Sequence, residues 1–218
     1  MEFEKTRENT IKRGSKKARY DEDTIYKILD ATSVCFIAFN IDGKAFTQPV
    51  NYGRKGNKIF IHGSHNNRMT TAILSSEEVC LSVMILDAMK LTRSAYHHSV
   101  NFRSVVVFGT VRELFEHEEK LEGLKALINH FVPGRWDHCR IPNESEIKAT
   151  RVIEINIDSA SAKVADAPAK EESPDYELDY WAGTIPVRTL YGPPIRDCKL
   201  NPEIETPKHI LDFIHLNV

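Results

Sequence analysis

The sequence predicts a mainly β protein, a small antiparallel barrel with helical decoration around a single core. Apolar, β-rich runs recur between residues 33 and 114 and again over 151–165. Tight turns join the first three of these runs. The connections are too short for the crossovers that a parallel sheet requires.

Residues 1–20 are polar and basic, with Lys12, Arg13, Lys16, Lys17 and Arg19, and read as a flexible N-terminus. Asp21-Glu22-Asp23 opens a helix with Ile25, Ile28 and Leu29 on one face, the acids favouring its start. "SVCFIAF" (33–39) reads as a buried strand. Asn40-Ile41-Asp42-Gly43 turns it into "KAFTQPVNYG" (44–53), and Arg54-Lys55-Gly56-Asn57 turns that into "KIFIH" (58–62). A loop then leads to a short helix from Arg68. "EVCLSVMIL" (78–86) and "NFRSVVVFGTVREL" (101–114) are further strands, with Gly109 marking a bulge or a close approach. Helix follows over 117–132, where Leu121, Leu124, Leu127, Ile128 and Phe131 recur at helical spacing before Pro133-Gly134. "RVIEINIDSASAKVA" (151–165) alternates as one strand. Three segments result: the basic N-terminus 1–20, a barrel domain 21–165, and an arm with a terminal helix over 166–218, the arm rich in Pro, Asp, Glu and Tyr.

A chain of 218 residues suits one domain of moderate size with appendages. Its 41% hydrophobic and 28% charged residues match the usual soluble mix, and a formal charge of -2 gives no global pull toward nucleic acid or anionic lipid. No run approaches the roughly 18 apolar residues of a membrane span, and the N-terminus lacks a signal peptide's apolar stretch. A soluble, cytoplasmic protein is expected. Cys35, Cys80, Cys139 and Cys198 form no CxxC pair, which fits a reducing compartment.

The most informative loop is "IHGSHNNRM" (61–69). A helix N-terminus offers unpaired N–H groups, Ser64 a hydroxyl, and Arg68 a planar fork that matches two phosphate oxygens. The bland alternative is a capped helix with Arg68 in water. Pro49 in "TQPVNYG" cannot donate to a ladder, so that stretch lies at an edge, either leaving backbone groups free for a ligand or guarding against aggregation. Arg103, in a strand this apolar, needs a partner: a surface carboxylate, another subunit or a cofactor. His97-His98 point to opposite strand faces, and Trp136-Asp137-His138-Cys139 lacks a second pair at zinc-like spacing, so no metal site is expected. No GxSxG, HExxH, phosphate-binding GxxxxGK[ST] or GxGxxG motif occurs, so catalytic residues are not identified, and any chemistry would belong to a bound cofactor.

Five segments in order carry a resemblance over residues 19–195: "RYDEDTIYKILD", "QPVNYGRKGNKIFIHGSHNNRM", "SAYHHSVNFRSVVVFGTV", "ATRVIEINIDSASAKV" and "YWAGTIPV". The chain resembles the FMN-binding split-barrel proteins related to pyridoxamine 5'-phosphate oxidase, in the branch of the nitroimidazole-resistance and flavin-nucleotide-binding proteins. The resemblance implies a six-stranded, Greek-key-like split barrel that forms a homodimer with FMN between the subunits. It assigns the phosphate to Ser64 and Arg68, with backbone groups from His62 and Gly63 and with Met69 alongside. It lays Val50, Asn51 and Tyr52 along the isoalloxazine ring. Asn101 and Arg103 would reach cofactor or partner, and Trp181 would cover the site. Phe102 stands where the family more often has tyrosine, and no Arg-rich C-terminal segment is found, so vitamin B6 oxidation is not expected.

The leading functional expectation is an FMN-dependent oxidoreductase passing electrons from a reduced nicotinamide nucleotide to a small aromatic or heteroaromatic acceptor, such as a nitro compound. The alternatives are a flavin store or redox sensor, or a split barrel holding haem or a deazaflavin, with His62, His65, His97 and His98 as candidate axial ligands.

Overall fold

The computed structural model describes residues 1–216. A two-residue strand β1 (Ala18–Arg19) leads to α1 (Glu22–Asp30), whose N-cap Asp21 accepts from the Thr24 N–H at 2.9 Å. The face of α1 formed by Ile25, Ile28 and Leu29 is buried, as its spacing predicts. Strands β2 (Val34–Ile41) and β3 (Lys44–Asn51) form a hairpin whose two-residue turn, Asp42-Gly43, has φ of 49° and 75°. Those positive angles match the right-handed twist of the flanking strands. The chain continues through β4 (Gly53–Lys55), β5 (Lys58–Ser64), α2 (Arg68–Leu74), β6 (Glu78–Leu91) and β7 (Ser99–Leu114). Then come α3 (His117–Phe131), α4 (Glu144–Ala149), β8 (Thr150–Asn156), β9 (Ser159–Ala165), β10 (Gly183–Pro186) and α5 (Lys208–Leu216).

All strand pairings are antiparallel, in the order β3-β2-β6-β7-β8-β5-β4. The split lies at β7, where residues 102–108 pair with β9 and residues 111–114 pair with β8. Gly109 sits between the two. A Cβ there would stand 2.0 Å from the Asn156 carbonyl oxygen, so the close approach, not a bulge, explains the glycine. Inward residues of several strands meet in one core: Ile37, Ile59, Ile61, Leu81, Val83, Val105, Val107, Ile153 and Ile155. Each such side chain contributes roughly 1.5–3 kcal/mol by leaving water.

Three expectations change. Residues 151–165 form two strands that turn a corner at Ile157-Asp158, because pairing partners, not alternation, decide where a strand ends. The first twenty residues are tied down: Asn9 is buried, with its side-chain amide donating to Ala160 O, and Phe3 meets the Tyr26 ring edge-on. Strand β5 runs two residues beyond His62, through Gly63 and Ser64, in register with Arg151 and Thr150 of β8.

The arm adds β10 to the outer end of β6 and then crosses the surface with many apolar side chains exposed. α5 is fixed by a His138–His209 ring stack and by Tyr191 against Phe213. No helix among the described residues is long and apolar enough to cross a membrane.

Candidate functional site

The β5–α2 junction is built by Asn67, whose side chain accepts from the N–H groups of Met69 and Thr70. That cap takes two of the N–H donors that open α2, so fewer backbone groups are left there for an anion and the side chains of Ser64 and Arg68 carry more of the recognition. Ser64 and Arg68 are both exposed. The Arg68 guanidinium lies 5.0 Å above the Phe46 ring of β3 and has no carboxylate partner among the described residues. Met69, expected beside a phosphate, is instead a core residue. His62 is exposed and its ring makes no hydrogen bond among the described residues, yet crowding around the imidazole lowers its pKa below the ordinary 6.5. His65 is engaged, with Nε2 2.9 Å from Lys148 O.

Strand β3 lies at the end of the strand order and, among the described residues, pairs only with β2, so one row of its backbone groups faces away from the sheet. The five-residue step from Phe46 to Asn51 spans about 17 Å. Val50 is half-buried and Asn51 exposed, with the Asn51 amide 3.4 Å from Ser33 O. Tyr52, expected against a ring system, is 0% exposed, and its hydroxyl donates to Leu29 O inside the core. Burial raises its phenol well above the usual pKa. The chain leaves β3 at Asn51, and that turn carries Tyr52 to the inside.

At the far end of β7, a bulge between Leu86 and Ala88 leaves Asp87 without a ladder partner. Its carboxylate accepts from Arg103 Nε at 3.0 and 3.2 Å and from Nη2 at 2.8 Å. Arg103 therefore has its partner on the neighbouring strand, and nothing in the sequence singled out Asp87. Asn101 Oδ1 is buried without a hydrogen bond among the described residues. Ser33, Met84, Leu86, Asp87 and Arg103 line a cavity of 610 Å³ together with the arm at Val187–Tyr191. Trp181 is 69% exposed and stands over Gly183, where a Cβ would meet the indole at 2.9 Å.

No reactive thiol emerges at Cys35, which burial pushes up to about 12. Among the described residues no group of three His, Cys, Asp or Glu side chains is arranged to hold a metal ion.

The family profile described as pyridoxamine 5'-phosphate oxidase matches residues 21–164, well over half of the chain. The chain belongs to this family. No curated protein matches it. Among solved structures it is similar to the flavocytochrome Anf3 from Azotobacter vinelandii, with 34% identity over 95% of this chain and 97% of that one, at a TM-score of 0.89. It is also similar to an FAD and heme binding protein from Mycobacterium smegmatis, with 26% identity over 91% and 97% of the chains and a TM-score of 0.86. A proposed 5-nitroimidazole antibiotic resistance protein from Bacteroides thetaiotaomicron VPI-5482 shares 19% identity over 71% and 90%, at a TM-score of 0.60, a likeness that shows the fold alone. The split barrel of the family is thus the fold of this chain.

Proposed function

We propose that this chain is a flavin-binding redox protein that works as a homodimer. The flavin nucleotide, FMN or FAD, lies along the free edge of β3. Its phosphate meets Arg68 and Ser64, and its ring lies beside Val50 and Asn51. The observation that carries this reading is the Arg68 guanidinium, without an ion pair among the described residues and set over Phe46 on that edge strand. Phe46 limits where the guanidinium can lie, and the guanidinium gives two parallel N–H donors to phosphate oxygens. Asn101 Oδ1, buried without a donor, fits a site completed by a cofactor or a second subunit.

The homodimer reading rests on exposed apolar surface. Val34 and Phe36 of β2 and Met84 of β6 face outward; Phe36 is 49% and Met84 56% exposed. Trp181 and Tyr180 of the arm are exposed as well. A second copy that covered the sheet face and took up the arm would bury them together.

When bound, the flavin supplies hydride and one-electron chemistry, and the protein supplies position and electrostatics. A reduced nicotinamide nucleotide as donor and a small aromatic acceptor are the partners to assay. The likeness to a flavocytochrome over nearly the whole chain favours a second reading, in which haem is held beside the flavin. His62 would be the residue to hold its iron: its ring makes no hydrogen bond among the described residues, and the lowered pKa favours the neutral imidazole, the form that binds a metal.

The test is the visible spectrum of the protein as purified, with mass spectrometry of what acid releases. Flavin bands and released FMN or FAD are expected, and a Soret band lost in His62→Ala would support the haem reading. A colourless protein that takes up neither added flavin would overturn both.

A further inference from the structure

The basic N-terminus noted in the sequence forms one wall of a separate cavity of 470 Å³. Lys16, Lys17 and Arg19 from that segment line it together with Lys90 of β6, Lys170 of the arm, His97 and Ser99. Five basic side chains meet one carboxylate, Asp166, and none of the five makes an ion pair among the described residues. Several other arginines of the chain are held in ion pairs, Arg54 with Asp30, Arg93 with Glu171, Arg140 with Glu146 and Arg151 with Glu113. In a chain of formal charge -2, such an unpaired cluster is a local feature and not a general excess.

The cluster has a fixed member. Lys90 is 6% exposed, and its ammonium donates to Ala167 O at 3.1 Å, one hydrogen bond for a group with three donors. Burial, and then Lys17, lowers the Lys90 pKa below its ordinary value, so the ammonium sits where an anion would stabilise it. Ala165, Ala167, Pro168 and Ala169 supply an uncharged wall. This combination of polar anchors and apolar wall recurs in small-molecule sites.

We propose that this cavity binds a phosphate-bearing small molecule of the nucleotide class: the cations take the phosphates, and the Ala-Pro wall takes the base or sugar. The site is distinct in its residues from the Arg68–Ser64 flavin site and does not depend on it.

Calorimetric titration of the purified protein, with whatever cofactor it retains, tests the proposal using ADP and inorganic pyrophosphate at low ionic strength. Saturable ADP binding is expected, tighter than that of pyrophosphate. It should weaken by about tenfold or more in Lys90→Met and in the surface double variant Lys16→Ala/Lys17→Ala. Flavin content should be unchanged in both, and Arg68→Ala should retain ADP binding. No saturable ADP binding up to about 1 mM would overturn the proposal. So would wild-type binding by the double variant, or loss of ADP binding in Arg68→Ala. Pyrophosphate binding as tightly as ADP would overturn the nucleotide assignment.

Discussion

Arg103 grips Asp87 with Nε and Nη2 at 2.8–3.2 Å, across the β6–β7 ladder and at the bulge that frees Asp87 from it. The Asp87 main-chain carbonyl accepts from the Val187 N–H at 2.9 Å, so one bulge serves both the arginine and the arm. Both side chains are a third or more exposed, which limits what the ion pair is worth. A double-mutant cycle of Arg103→Met and Asp87→Asn, read by urea unfolding, should give a coupling energy of about 0.2–1 kcal/mol. A coupling above about 2 kcal/mol would mean that the pair is far less solvated than its exposure indicates.

Tyr52 belongs to the core and not to the ring site. Tyr52→Phe removes the bond to Leu29 O and leaves that buried carbonyl short of a donor, at a cost of about 1–3 kcal/mol. Unfolding should read that loss while the flavin bound per chain stays constant. A variant of normal stability that loses flavin would return Tyr52 to the cofactor.

Glu154 links acid stability to the barrel wall. Burial alone would raise its carboxyl, but hydrogen bonds from Arg112 at 2.8 and 3.1 Å and from Lys58 at 3.0 Å hold it below the ordinary 4.5. With a depressed folded-state pKa, its contribution is complete above about pH 4.5 and disappears as pH falls through the folded value. Glu154→Gln should therefore destabilise by about 1.5–3 kcal/mol at pH 7, with the gap to wild type closing below pH 4.5. A gap that stayed constant down to pH 3 would remove the charge from the explanation.

Most of the barrel was legible because the strands and helices keep their periodic apolar faces and the turns carry Asp or Gly where φ is positive. Asp42-Gly43 and the α1 face of Ile25, Ile28 and Leu29 are such cases. What was hidden depends on tertiary contact. Alternation over 151–165 continues through a corner that only pairing with β7 reveals. Gly63-Ser64 reads as loop by residue type, yet β8 extends the ladder through it. Tyr52 and Met69 have the residue types of a ring or phosphate site, and only the turn after Asn51 and the packing of α2 put them inside. Asp87 lacked a signal of its own, since a bulge is a property of two strands in register. Ser64, Arg68 and Asn51 are on the surface where a ligand could reach them.

In the proposed function Arg68 anchors the phosphate of a flavin lying along β3. Titration of wild type and Arg68→Ala with FMN and FAD, followed by the quenching of flavin fluorescence, reads that anchor. Arg68→Ala should lose about 1.5–3 kcal/mol, roughly a ten- to hundredfold rise in Kd, with riboflavin, which has no phosphate, affected little. Equal flavin affinity in the two proteins would remove Arg68 from the site and move the phosphate elsewhere on the molecule.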